Sequence, residues 1–241
     1  MSESASREHR TVSRVTGILE YVAQHENGVR MADIVAHLDA PRSSIHGLVH
    51  GLVSNGYLRM HDAGLFVIGP AVNALHPPRS SIERSARAAM VTLHEEFDET
   101  VTLVMLSGES VVYTEAIEST RAIRYTPPIG VRRPLYPTSA GKCFLANSSE
   151  DFRERYLVSA FSDTATRNRV RGELASIADR GVALNEGDTL PDLHAVSAPV
   201  FSRGAVAAVI TVAGPSTRMV DHMKSIIAAV KTATQLASSR R

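Results

Sequence analysis

Ser139 and Lys142 stand three residues apart in the stretch YPTSAGKCFLA, residues 136–146. This S-x-x-K spacing occurs in enzymes in which a serine is acylated and a lysine takes part as its base. Gly141-Lys142 also resembles the end of a phosphate-binding loop, in which backbone N–H groups and a lysine hold a nucleotide. The stretch therefore suggests two kinds of chemistry, nucleophilic catalysis and nucleotide binding.

The sequence lacks the other residues that each of these two motifs requires. A phosphate-binding loop needs glycine at position 136 and serine or threonine after the lysine, whereas Tyr136 and Cys143 stand there. The S-x-x-K enzymes need a later K-T-G strand, and the sequence contains no K-T-G. We therefore expect no catalytic residue, no cofactor and no enzymatic activity.

A second group of polar side chains lies in APRSSIHGLVHGLVSNGYL, residues 40–58. Its members are Arg42, Ser43, Ser44, His46 and His50. Proline is tolerated in the first turn of a helix, as Pro41 would be, and Asn55-Gly56 can end one. The first residues of such a helix can reach base edges and phosphates of DNA. The alternative is a solvated helix face on which Ser43 and Ser44 act as local caps.

His46 and His50 are four residues apart, a spacing that can hold a metal ion. No carboxylate or cysteine nearby completes a set of ligands, so we expect no metal site. Protonation of these histidines is the alternative role, because it would add positive charge beside phosphate groups at low pH.

The bulk composition limits the class of protein. A chain of 241 residues with 44% hydrophobic residues is typical of a soluble globular protein with one large or two modest domains. The single cysteine, Cys143, excludes an intrachain disulfide and favours buried packing over redox sensing. The first residues lack the apolar region of a secretory signal, and no apolar run reaches the roughly 18 residues of a membrane span. We expect a cytoplasmic protein that does not bind membranes.

Charge neither favours nor excludes nucleic acid as a partner. The net charge is +1, and residues 1–60 contain six arginines and six carboxylates. The first part of the chain therefore lacks a strong basic field. Arginine carries nearly all the positive charge, which suits bidentate contacts to phosphate, carboxylate or guanine.

The first part of the chain is predicted to contain three helices and a hairpin. Apolar periodicity predicts helices within residues 11–24, 29–38 and 39–58. The stretches YLRM and GLFVIG are predicted strands on either side of the turn at residues 61–64. This order is typical of a winged helix-turn-helix domain.

The pattern changes after Pro77-Pro78. Residues 73–97 are predicted to be a linker that enters a helix, and strands dominate from about residue 100. The predicted strands are VTLVMLS, SVVYTEAIE, VALNEG, HAVSAPVFS and AVAAVITVAG, and the predicted helices cover residues 139–147, 149–159, 166–180 and 217–238. A mainly antiparallel sheet flanked by helices is an α+β fold. We expect a winged helix-turn-helix DNA-binding domain at 1–72, a linker and connecting helix at 73–97 and an α+β sensor domain at 98–241.

Three passages of the chain are characteristic: APRSSIHGLVHGLVSNGYL, PPIGVRRPLYPTSAGKCFLA, and RGVALNEGD with the later AVSAPVFSRGAVAAVITVAGP. Together they resemble the IclR family of bacterial transcription regulators. The middle passage follows the family pattern G-x-x-x-P-L-x-x-T-A-x-G-K-x-x-L-A, with Ser139 in place of its alanine. The resemblance implies a winged helix-turn-helix joined by a linker helix to a GAF-like effector domain. It also implies operator DNA and a small organic acid as partners, and homodimers that can pair into tetramers.

The resemblance places TSAGKCFLA at the start of a helix beside an effector pocket and implies eight lining positions. They are Tyr125, Arg133, Ser139, Ala140, Asn185, Ala195, Thr211 and Ala213. Arg133 would pair with a carboxylate, unless it is a surface residue beside Arg132. Family members that bind a small keto acid commonly have Asp in place of Asn185 and Cys in place of Ala195. An aromatic or dicarboxylic acid is therefore expected.

These expectations combine into an effector-responsive DNA-binding regulator, either a repressor or an activator, of which a repressor is favoured. Gly47 stands where the family usually has arginine, a departure that counts against strong DNA binding. The alternative is an enzyme or carrier that binds a small molecule in its C-terminal domain and uses the N-terminal domain for protein interaction. Binding of operator DNA separates the two.

Overall fold

A computed structural model describes residues 9–61, 63–75 and 80–238. Contacts divide the chain into two compact units, residues 1–78 and 79–241. Pro77-Pro78 and Asp62 of the predicted hairpin turn lie outside the described residues.

The first unit consists of three helices followed by an antiparallel hairpin. Its elements are α1 (Arg10–Ala23), α2 (Met31–Leu38), α3 (Arg42–Ser54), β1 (Leu58–Met60), β2 (Phe66–Ile68) and a 3₁₀ helix at Pro70–Leu75. This confirms the predicted helix-turn-helix with its hairpin, whereas the 3₁₀ helix was not predicted. The fully buried Ile18, Ile34 and Ile45 join the three helices in one core.

The turn between α2 and α3 explains why α3 begins later than residue 39. Asp39 ends α2 with a left-handed φ of 43°, and Pro41 is the N-cap of α3. After α3, Gly56 adopts a φ of 75°, a conformation that glycine reaches without steric cost. These residues separate the two helices and direct the chain into the hairpin.

The second unit is an α+β domain built on a six-stranded antiparallel sheet, as predicted. Its elements are α4 (Ser81–Phe97), β3 (Thr100–Ser107), β4 (Ser110–Ile117), β5 (Arg132–Pro134), α5 (Ser139–Ala146), α6 (Glu150–Ala160), α7 (Thr164–Arg180), β6 (Ala183–Glu186), β7 (Leu193–Ser202), β8 (Ala205–Pro215) and α8 (Ser216–Ala237). The strand order is β5-β4-β3-β8-β7-β6. Strand β5 was not predicted, because RRP has no apolar alternation.

Helices cover both faces of this sheet. On one face, α4 and α8 bury Met90 and Val230 against Ile210 of the sheet. On the other face, α5 packs on β7 and β8 and is covered by α7. All eight residues of α5 are buried as a result. The helix predicted within 73–97 therefore packs in the second unit, through α4.

No helix in the described part of the chain has the length and the apolar character that crossing a membrane requires.

Candidate functional site

A cavity in the second unit lies at the N-terminal end of α5, between the sheet and the segments that hold Tyr125 and Leu190. Seven of the eight predicted pocket positions line it. They are Tyr125, Arg133, Ser139, Asn185, Ala195, Thr211 and Ala213. The tertiary structure thus brings together residues that are up to 88 positions apart in sequence, from 125 to 213.

Ala140 is the predicted position that does not line the cavity. It is buried in the core between α5 and the sheet. Successive residues of an α-helix point about 100° apart, so Ser139 and Ala140 face different surroundings. The sequence prediction also missed six lining residues. They are Thr102, Tyr113, Thr138, Thr189, Leu190 and Leu193.

The Ser139 hydroxyl belongs to a chain of buried hydroxyl groups. It accepts a hydrogen bond from Ser197 Oγ at 2.8 Å, and Ser197 Oγ lies 2.7 Å from Thr211 Oγ1. The Cys143 thiol donates to the Ser197 carbonyl at 3.2 Å, and burial raises the pKa of that thiol to about 12. A thiol with this pKa stays protonated at neutral pH, which agrees with the expected packing role of Cys143.

Lys142 is buried and bound by two acids. Its Nζ lies 2.8 Å from Glu173 Oε1 and 2.8 Å from Asp188 Oδ2, and it donates to the Leu184 carbonyl at 3.3 Å. Burial lowers the pKa of Lys142, but the hydrogen bonds to Asp188 and Glu173 outweigh it and leave the pKa above its ordinary value. Lys142 therefore stays charged and holds the loop after β6 to α7, instead of acting as a base for Ser139.

Asn185 shapes the loop beside the cavity. Its Nδ2 donates to the Pro137 carbonyl at 3.2 Å and to Thr189 Oγ1 at 3.3 Å. Its Oδ1 accepts from the backbone N–H groups of Gly187 at 3.2 Å and Asp188 at 3.1 Å. These four bonds use the two donors and both acceptor positions of the amide. Asn185 consequently has little capacity left for a ligand.

Arg133 faces the cavity, whereas its neighbour Arg132 does not. The guanidinium carbon of Arg133 lies 6.0 Å from the centroid of the Tyr113 ring, and its Nε is buried without a hydrogen-bond partner among the described residues. Arg132 is exposed and donates to Ser107 Oγ at 2.8 Å. The alternative in which Arg133 is a surface residue is therefore wrong. No aspartate or glutamate is among the described residues that line the cavity, so the charge of Arg133 has no acid beside it there.

Two further lining residues contribute polar groups that are deeply buried. Thr102 is 1% exposed, and its Oγ1 has no hydrogen-bond partner among the described residues. A buried hydroxyl left without a partner costs about 1–3 kcal/mol. Burial, and secondarily the neighbouring Tyr125, raises the pKa of Tyr113 to about 12. Its phenol is therefore neutral at physiological pH.

The cavity is small as it stands. Its volume is about 20 Å³, which is enough for about one water molecule. Sites that enclose drug-sized ligands have roughly 300–1,000 Å³. An organic acid can therefore enter only if lining side chains move, and Leu190 is the half-exposed lining residue on the solvent side.

The predicted DNA-contacting residues lie on the outer face of α3. Arg42, Ser43, His46 and His50 are exposed, while Ile45 and Val49 bury the opposite face. This separation leaves the polar side chains free to meet a partner.

Ser44 differs from its neighbours on α3. It is half-buried, and its hydroxyl accepts a hydrogen bond from Arg14 Nη1 at 3.1 Å. Among the described residues, no side chain caps the start of α3, so the expected capping by Ser43 and Ser44 is wrong, while the solvent-exposed helix face of that alternative is present. The sequence prediction missed Arg14, because the contact joins α1 to α3 across 30 residues.

The rings of His46 and His50 are close, with centroids 4.3 Å apart. Across residues 9–61, 63–75 and 80–238, no three His, Cys, Asp or Glu side chains come together as a metal site requires.

Family comparison covers both units. Residues 11–62 match the IclR helix-turn-helix domain, and residues 77–239 match the C-terminal domain of the bacterial transcriptional regulator IclR. The chain belongs to the IclR family of bacterial transcriptional regulators.

Similarity to individual IclR-family proteins extends over most of the chain. The HTH-type transcriptional regulator KipR of Bacillus subtilis is 28% identical over 207 residues, which span 82% of this chain and 83% of KipR. The transcriptional repressor IclR of Escherichia coli is 25% identical over 232 residues, spanning 90% and 84%. An IclR homolog from Microbacterium hydrocarbonoxydans, solved with 4-hydroxybenzoate, superposes with a TM-score of 0.80 at 20% identity, covering 95% of this chain and 97% of that one. At this identity the superposition shows a shared fold.

In this IclR-family chain, TSAGKCFLA forms the capped start and the body of α5. Thr138 Oγ1 accepts from the Gly141 N–H at 3.1 Å and donates to the Leu135 carbonyl at 2.9 Å. Ser139 faces the cavity, and Lys142 pairs with acids on the loop after β6 and on α7. The stretch therefore packs a helix against a cavity, and its serine and lysine do not contact each other as a nucleophile and its base would.

Proposed function

We propose that this IclR-family protein is a repressor whose α3 binds operator DNA and whose second unit binds a small organic acid. Acid binding would change the affinity for the operator, a coupling typically worth about 1–3 kcal/mol. The observation that carries this proposal is the position of Arg133. Its guanidinium faces a buried cavity whose described lining contains no acid.

A carboxylate is the ligand group that these surroundings favour. Arg133 is partly buried, and a carboxylate would form charge-assisted hydrogen bonds with its guanidinium. The N-terminal end of α5 favours an anion by a further 0.3–1 kcal/mol or so. The aromatic rings of Tyr113 and Tyr125 line the same cavity and could contact an aromatic ligand. The 4-hydroxybenzoate in the Microbacterium homolog is an acid of this class.

The proposal also includes repression as the direction of regulation and a homodimer or tetramer as the assembly. The name of the E. coli relative supports a repressor. A single helix-turn-helix module buries a small interface on DNA, so specificity favours a homodimer or tetramer on two half-sites. Residues 1–72 would bind DNA, 98–241 would bind the effector and 73–97 would connect them. The protein would act in the cytoplasm and catalyse no reaction.

Replacing Arg42 by alanine should weaken operator binding by ~1–3 kcal/mol if Arg42 contacts a base. A binding duplex is first selected from a random-sequence pool with the full-length wild type, and affinities are then measured at one fixed salt concentration. Arg155→Ala, which removes an exposed arginine from α6, is the matched control and should leave affinity unchanged. Equal affinities of Arg42→Ala and wild type would remove Arg42 from recognition. Failure to select any duplex would contradict the proposed regulator function and would favour the alternative of a carrier or enzyme.

Replacing Arg133 by alanine should lower the affinity for acidic ligands by about tenfold or more, because a charge-assisted bidentate contact is lost. A library of aromatic and dicarboxylic acids is screened by thermal shift, and the best ligands are titrated by calorimetry. Arg132→Ala is the control, since Arg132 is adjacent but does not line the cavity. Uncharged best ligands, or unchanged acid binding by Arg133→Ala, would show that the site does not hold a carboxylate in this way.

A further inference from the structure

The hydroxyl of Thr102 is unlike the other hydroxyls on its side of the sheet. Thr100 Oγ1 donates to the Tyr125 carbonyl at 2.7 Å and accepts from the Ser119 N–H at 3.2 Å. Thr211 Oγ1, on the strand that pairs with β3, is 2.7 Å from Ser197 Oγ. Thr102 is as buried as these residues, yet its Oγ1 has no partner among the described residues.

Thr102 and Arg133 line the same cavity, and each has a buried polar atom for which the described part of the chain offers no hydrogen-bond partner. Arg133 is on β5 and Thr102 is on β3, with β4 between them. Since neighbouring strands lie roughly 4.7–4.9 Å apart, the backbones that carry the two groups are about 10 Å apart across the sheet. The two groups therefore enter the cavity from different strands.

We propose that Thr102 hydrogen-bonds a second oxygen of the ligand, so that the effector is a carboxylic acid with a hydroxyl or keto oxygen at its far end. The inference rests on the proposed function, in which Arg133 holds the carboxylate. The Thr102 hydroxyl can donate to such an oxygen or accept from it. Binding would then satisfy both groups that the cavity leaves without partners.

A purely structural role for Thr102 makes a different prediction. Valine has nearly the same shape and suits a buried strand. If no ligand reaches the hydroxyl, Thr102→Val should not lower the melting temperature of the free protein and should not change which acids it prefers. If the hydroxyl serves the ligand, the same replacement keeps or raises the melting temperature of the free protein but weakens binding of one class of acid. Ligand binding would weaken while the stability of the free protein is kept or raised. A general packing defect would instead lower both.

The experiment compares full-length wild type and Thr102→Val with two pairs of acids that differ only at the far end. The pairs are 4-hydroxybenzoate with 4-methylbenzoate, and 6-hydroxyhexanoate with heptanoate. We expect wild type to bind at least one hydroxy acid about tenfold more tightly than its methyl partner, which is about 1.4 kcal/mol. Thr102→Val should abolish that preference, with an unchanged or higher melting temperature. Thr100→Val is the control, and it should destabilise the free protein because it removes two existing hydrogen bonds.

Three results would overturn the inference: no hydroxy acid binds wild type, the hydroxy and methyl acids bind equally, or Thr102→Val weakens both members of a pair alike. None of these results alone overturns the proposed function. Acid binding that depends on Arg133, measured in the wider acid screen, decides that separately.

Discussion

Replacing Gly141 by alanine is expected to destabilise the protein by about 3 kcal/mol or more, at the upper end of the cost of overpacking. A Cβ atom at position 141 would overlap the backbone of Leu135, including its carbonyl oxygen. Helix α5 is buried between the sheet and α7, so it cannot move away from Leu135 without disturbing both. The glycine of this stretch is therefore explained by close backbone packing, with no phosphate ligand.

Urea unfolding of the full-length protein, followed by circular dichroism, measures this effect. Gly172→Ala is the matched control, because Gly172 lies within α7 and nothing would contact its Cβ within 4 Å. Alanine is the better helix former, so this control should be stabilised by up to about 1 kcal/mol. A small change of the same sign in both variants would contradict the predicted clash.

Replacing Arg218 by leucine is expected to cost about 3 kcal/mol, because it leaves a buried carboxylate without its main partner. Glu99 is only 4% exposed. Arg218 binds it through Nε at 2.5 Å and Nη2 at 2.8 Å. Arg121 Nη1, 3.9 Å from Glu99, is too distant to replace these bonds. The Glu99 carboxylate also occupies the space that a side chain at Gly214 would need.

An exposed pair with similar bonds provides the control for Arg218. Arg171 binds Glu154 at 2.9 and 2.6 Å, but their side chains are 42% and 35% exposed. Exposed ion pairs contribute roughly 0–1 kcal/mol, so Arg171→Leu should have a small effect. Thermal and urea unfolding of both variants test the difference. Adding Glu99→Met to Arg218→Leu should recover part of the loss, whereas equal losses at the two sites would show that burial is not the cause.

The order of elements and the family could be predicted from the sequence, because local signals determine them. Asn55-Gly56 marks the end of α3, and Arg203-Gly204 forms the turn between β7 and β8, where both residues have positive φ. Apolar periodicity located the long helices and strands. The exceptions were β5 and the 3₁₀ helix at Pro70–Leu75, which are too short to show a period. Of the eight pocket positions that the family resemblance implied, seven line the cavity. Their binding of a ligand stays a prediction.

The amino-acid sequence by itself thus determined which helices and strands form, and it excluded the catalytic motifs that Ser139 and Lys142 suggested. Only the tertiary structure decided what each polar side chain meets. It turned Arg133 toward the cavity, and it paired Asn185 with Pro137, 48 residues away. It also left the Thr102 hydroxyl without a hydrogen-bond partner among the residues that the structure describes. The physical reason is that helix and strand signals act over a few neighbouring residues, whereas the partner of a buried polar atom depends on which distant segments pack around it.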